Sequence, residues 1–129
     1  MEASAHKSAF FEFDTRPDPE TFTIKLTDPE KIEHARRLLT GQTKHDPHIS
    51  GIIVKKRASY NPHFKFHLAP ESIHFFDASA EVCDATINYV AEHLDEVGGA
   101  FLPNNRWCPW ASKLVREVEG KEEAAGAGE

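Results

Sequence analysis

The sequence predicts an α+β fold, with two helices packed on one mainly antiparallel sheet. Three observations carry this reading: short runs that alternate apolar and polar residues, two longer runs with helical spacing, and turn residues that punctuate both. The order along the chain is strand, helix, strand, strand, helix, strand. Such an order suits a ferredoxin-like, split β-α-β arrangement, in which right-handed crossovers lay both helices on one face of the sheet. Extra edge strands are expected from the N-terminal segment and from Ile73 to Phe76.

Residues 1–8 read as a loose arm, 9–119 as a single domain, and 120–129 as a disordered tail rich in Ala, Gly and Glu. Ala9 to Phe13 forms a short strand and is followed by a turn at Thr15 to Glu20, which holds Pro17 and Pro19. Phe22, Ile24 and Leu26 alternate with Thr23, Lys25 and Thr27, the period of a strand with one buried face. A helix follows over residues 29–40. Either Asp28 with Pro29 or a Thr27/Glu30 capping box starts it; Ile32, Ala35, Leu38 and Leu39 make its apolar stripe, and Gly41 stops it.

Gly51 to Lys56 reads as the next strand, and Tyr60-Asn61-Pro62 as the turn that reverses the chain. Phe64, Phe66 and Leu68 then alternate with His63, Lys65 and His67. Asp77 or Ser79 is expected to cap a second helix, with Cys83, Ile87, Val90, Leu94 and Val97 on its buried stripe and Gly98-Gly99 at its end. Leu114, Arg116 and Val118 form the last strand, after a loop from Phe101 to Trp110 that holds both tryptophans.

The chain has 129 residues, 40% hydrophobic and 28% charged, enough for one packed core and too ordinary in composition for a disordered or fibrous protein. Its formal charge is −6, which argues against a general affinity for nucleic acid backbones. Residues 1–30 carry 3 basic and 7 acidic groups, residues 31–70 carry 8 and 2, and residues 71–129 carry 4 and 12. The basic middle is expected to pair with the acidic ends or to form a polar binding face. No apolar run reaches the length of a membrane span, and Met1 to Phe13 is too short in apolar residues for a secretory signal, so a soluble chain with no membrane partner is expected.

No cofactor is implied, because no GxSxG, HExxH or phosphate-binding glycine pattern occurs. Eight histidines invite a metal reading in which His63, His67 and His74, with Asp46 or Asp84, serve a hydrolase. Against it, His63 and His67 on one extended segment lie ~13 Å apart, too far for one ion. Glu81 and Asp84 point to different faces of a helix and do not make an acid/base pair. Cys83 and Cys108 lack a second pair for a zinc ribbon, and are either buried thiols or one disulfide. An RNA-binding reading of Lys55 to His67 lacks the aromatic signature it needs. The proline-stiffened loop is the strongest functional signal. Asn104, Asn105, Arg106, Trp107 and Trp110 suit a preorganised surface for a protein partner, assisted by Lys55, Lys56 and Arg57, since Trp and Arg dominate binding hot spots. Protease inhibition by the same loop is a sharper variant.

Three blocks carry a resemblance: Ser59-Tyr-Asn-Pro-His-Phe-Lys-Phe-His-Leu68, Glu81-Val-Cys-Asp-Ala85, and the run from Glu92 through Val97-Gly-Gly to Trp107-Cys-Pro-Trp110. Across roughly residues 21 to 118 the chain resembles the N-terminal domain of a slime-mould calmodulin-binding protein and its small bacterial relatives. The resemblance implies a compact α+β module with no catalytic residues to carry over, and calmodulin binding as a property of the longer protein. Calmodulin grips basic amphipathic helices, whereas helix 29–40 mixes Glu30 and Glu33 with its arginines. The expected function is therefore a non-enzymatic binding module, of undetermined oligomeric state, with the histidine-based hydrolase as the alternative.

Overall fold

A computed structural model describes residues 8–78 and 82–119. The arm, the tail and the proposed cap Ser79 lie outside the described residues, apart from Ser8. The class is α+β, and the sheet arrangement differs from the expected one. Strands β1 (Ala9–Thr15), β2 (Phe22–Leu26) and β9 (Ser112–Val118) form one antiparallel sheet in the order β2-β1-β9. Strand β3 (His48–Val54) is the axis of a second, where β4 (His67–Leu68), β5 (His74–Phe76) and β8 (Arg106–Trp107) all pair with it antiparallel. Strands β6 (Val97–Gly98) and β7 (Phe101–Pro103) make a short parallel pair.

The single split β-α-β sheet fails because the segment taken for an edge is the centre. Five of the seven β1 residues are buried, and a strand that apolar gains most by having a neighbour on each side. The tight turn puts β2 on one edge of β1, β9 takes the other, and β3 must build a sheet of its own. Ser112 joins the two sheets: its hydroxyl accepts from Ile49 N at 2.9 Å, and its carbonyl lies 2.9 Å from His48 Nδ1.

Helix α1 (Pro29–Thr40) starts and stops on local signals. Asp28 Oδ1 accepts from Glu30 N, Pro29 holds the first helical position, and Gly41 at φ 82° donates to the carbonyls of Arg37 and Leu38. Ile32 and Ala35 are buried. The guanidinium of Arg36 grips both oxygens of Glu117 at 2.8 and 2.9 Å, so the helix is tied to β9.

The second helix is far shorter than its apolar stripe. Only Ile87–Glu92 (α2) is helical, with a 3-10 turn at Leu94–Glu96. The stripe is nevertheless internal, since Cys83, Ile87, Val90 and Val97 are all buried. Helical pairing stops short of residue 86 because the backbone before it is committed elsewhere. Cys83 O accepts from Cys108 N at 2.7 Å, and Ala85 O accepts from Trp107 Nε1 at 2.9 Å. The first helical N–H groups find distant caps: Ile87 N donates to Thr15 Oγ1, Asn88 N to Asp18 Oδ2, and Tyr89 N to Thr86 Oγ1.

The Phe64 to Leu68 alternation survives as burial without a full ladder. Phe64, Phe66 and Leu68 are buried, yet only His67–Leu68 pair as a strand. The aromatic rings of Phe13, Phe22, Phe66 and Trp107 cluster with centroids 5.1 to 6.0 Å apart at the middle of the core. Asn61, also buried, ties this loop to β2: its Oδ1 accepts from Thr23 N at 3.0 Å and its Nδ2 donates to Phe66 O.

Candidate functional site

The tryptophan loop is a stitched corner, and its residues divide sharply between inside and outside. Leu102 to Asn105 form a turn closed by Asn105 N on Leu102 O, with Pro103 and Asn104 at its centre and Asn104 at φ 61°. Proline followed by asparagine at positive φ is the pattern of a type II turn. Asn105 then turns back onto β3, where Ile53 N donates to its carbonyl and its Nδ2 donates to Ile53 O. Gly98, at φ 99°, lets this amide approach, because a Cβ there would stand 2.5 Å from Asn105 Oδ1.

Arg106 is half-buried and donates to Ser50 Oγ at 2.9 Å, while that hydroxyl lies 3.4 Å from Cys108 Sγ. Trp107 is 0% exposed, so its ring presents nothing to a partner. The expected contact role of Trp107 is corrected accordingly: it anchors the corner from within, as Asn105 and Arg106 do through their hydrogen bonds. Cys83 and Cys108 are joined as a disulfide. The two are 25 positions apart in the sequence, and closing a loop of that length removes about 3.5 kcal/mol of unfolded-chain freedom in the entropic account.

Trp110 faces the other way. It is 40% exposed and its ring packs edge-on against Phe76 at 6.3 Å. Its backbone is fixed by three contacts: Trp110 N donates to Asp84 Oδ1 at 2.8 Å, and Ser112 N and Ser112 Oγ both close onto Pro109 O. Val82, 78% exposed, sits next to the disulfide that clamps this segment. Asp84, which the sequence offered only as a candidate member of a metal site, is thus a positioning residue for the exposed indole.

The basic residues do not join this corner. Phe76, beneath Trp110, pairs with His48 at the start of β3, whereas Lys55, Lys56 and Arg57 follow its end. Seven strand residues separate the two regions by about 20 Å. Lys55 and Lys56 are exposed, and the Arg57 guanidinium donates to Pro62 O. Asn104 lies near that basic end, because its neighbour Asn105 bonds Ile53.

The histidine reading required convergence, and the register forbids it. His67 pairs with Val54 and His74 with Ser50, four residues apart on β3. His67 Nδ1 is taken by Lys56 O at 2.7 Å, and His63 is exposed on the loop between β3 and β4. Asp46 is exposed as well, and its carbonyl meets His34 Nε2. Among the described residues no three His, Cys, Asp or Glu side chains come together as a metal site, and Glu81 lies outside them. No helix of the described residues is long and apolar enough to cross a membrane.

The residues that carried the family resemblance now have structural roles. Asn61 locks β2, Gly98 admits Asn105, and Trp107-Cys-Pro-Trp110 builds the clamped corner. No curated protein and no solved structure matches the chain. A family model described as the BP-74 N-terminal domain matches residues 7–121, nearly the whole sequence. The chain belongs to the BP-74 N-terminal domain family.

Proposed function

We propose that this chain is a non-enzymatic module that binds a protein partner through the corner centred on Trp110 and Val82. The observation that carries the reading is an exposed indole whose backbone is already fixed. A large ring held in place by Asp84, the Pro109 to Ser112 turn and the Cys83–Cys108 clamp loses little freedom on binding, so most of its contact energy is retained. Calmodulin is the first partner to test, since the family is that of a calmodulin-binding protein's N-terminal domain. Helix α1 does not offer calmodulin the usual target, because its apolar face is in the core and Arg36 is held by Glu117.

Protease inhibition has less in its favour. The tip of the loop is a closed four-residue turn from Leu102 to Asn105, not an extended run of exposed backbone. The test is calorimetric titration of the protein with calcium-loaded calmodulin, alongside crosslinked capture of partners by wild type and by Trp110→Ala. Loss of binding in Trp110→Ala, with an unchanged circular dichroism spectrum, is expected. Full retention of binding by that variant refutes the corner as the contact surface.

A further inference from the structure

A second concavity lies at the other end of β3. It is a groove of about 480 Å³ between the β3–β4 loop and the α2 region, with Phe64, Phe66, Ala91 and Leu94 as its apolar lining. Its charges are sorted by sign. Lys55 and Lys65 stand on the loop side, beside the imidazole of His63, and Glu92 and Asp95 on the helix side.

None of these charged side chains makes an ion pair or hydrogen bond among the described residues. Ion pairs do form at other places on the surface, between Arg36 and Glu117, Arg37 and Glu33, and Arg116 and Glu12. Helix α2 moreover ends on Glu92 with no basic residue in its last turn, against the preference of the helix dipole. The groove thus keeps two facing rows of opposite, uncompensated charge above an apolar floor.

Resting on the reading of this chain as a protein-binding module, we infer that the groove receives an extended segment of a partner in which acidic and basic side chains alternate. The stereochemistry of an extended chain selects this pattern. Successive side chains point to opposite sides, so acidic residues at every second position meet Lys55 and Lys65 while the intervening basic residues meet Glu92 and Asp95. Their aliphatic stems lie along Ala91 and Leu94.

Two synthetic peptides of identical composition provide the test, acetyl-Glu-Lys-Glu-Lys-Glu-Lys-amide and acetyl-Glu-Glu-Glu-Lys-Lys-Lys-amide. Each is titrated into the 15N-labelled protein and followed by amide resonances. The alternating peptide is expected to shift residues 55, 63–66 and 92–95 and to bind at least about fivefold more tightly than the block peptide, the value of one well-placed exposed pair. Lys65→Glu is expected to weaken it, the double variant Lys65→Glu/Glu92→Lys to weaken it further because each row then meets like charge at one position, and added salt to weaken binding to the wild-type groove. Equal affinity for the two peptides, or shifts confined to other regions, overturns the groove assignment. Such a failure leaves the Trp110 corner untouched, because that reading stands or falls on Trp110→Ala alone.

Discussion

Trp107 and Trp110 stand three positions apart and are expected to fail in opposite ways. Trp107 fills the centre of the core against Phe13, Phe22 and Phe66, and its Nε1–H satisfies Ala85 O. Truncating such a ring to alanine costs about 3–5 kcal/mol, and the orphaned carbonyl moves the figure toward the upper end. Against a total stability of about 5–15 kcal/mol, that is a large fraction. Trp107→Phe keeps most of the ring contacts and loses the donor, a cost of about 1–2 kcal/mol. Trp110→Ala removes a ring that is already 40% in water and rests edge-on against Phe76, so its cost is about 1 kcal/mol. Partner affinity, in contrast, is expected to fall by about 2 kcal/mol or more for a hot-spot indole, roughly thirtyfold. Urea denaturation followed by circular dichroism gives the first set of numbers, with the m-value checked for constancy. A cost below about 1 kcal/mol for Trp107→Ala, or above about 3 kcal/mol for Trp110→Ala, refutes the division of the two residues into anchor and contact.

Asn61→Ala leaves both Thr23 N–H and Phe66 O without their partner, and urea denaturation is expected to show a loss of about 2–4 kcal/mol. Gly98→Ala forces a methyl group against Asn105 Oδ1 at a positive φ; about 1–3 kcal/mol is expected from the same assay, together with faster amide exchange at Ile53. The hydrogen bonds and charge of Arg36 hold the Glu117 carboxyl below its ordinary range. Stability from this pair is therefore present above the unfolded carboxylate value and is lost as the pH falls through the lowered one. A double-mutant cycle of Arg36→Ala and Glu117→Ala is expected to give at most about 1 kcal/mol at neutral pH and nothing in strong acid, because the pair is exposed.

Helix α1 was fully legible because every signal it needs is contiguous: Asp28, Pro29, the Ile32/Ala35 stripe and Gly41. Helix α2 was legible only as buried positions. Its caps Thr15 and Asp18 are some seventy residues away, and the bonds that keep residues 83 and 85 out of the helix come from Cys108 and Trp107. Periodicity cannot register competition of that kind, since the same apolar stripe serves a helix or a pinned loop. The corner shows the same limit. Composition marked Arg106, Trp107 and Trp110 equally, whereas the pairing of β8 on β3 is long-range and places Trp107 in the core and Arg106 on the Ser50 hydroxyl.

The polar residues of the core also narrow how this fold can bind anything. A module with open strand edges recruits partners by adding a strand; that route is obstructed here along β2, an edge strand, and the gaps left beside β3 by its short partners are closed as well. Thr23 N is taken by the Asn61 amide, Ile49 N by the Ser112 hydroxyl, Ile52 N by the Ser72 hydroxyl and Ile53 N by Asn105. Side chains and turns have filled the places where an incoming backbone would pair, which also protects the edges from aggregation. Along these strands recognition falls to side-chain chemistry at the ends of the second sheet, where a fixed indole stands at one end and sorted charges at the other. Removing one of the plugs tests this. Asn61→Ala frees Thr23 N on β2, the edge of the first sheet, and the variant is expected to gain concentration-dependent association in sedimentation without gaining affinity for a partner captured through Trp110.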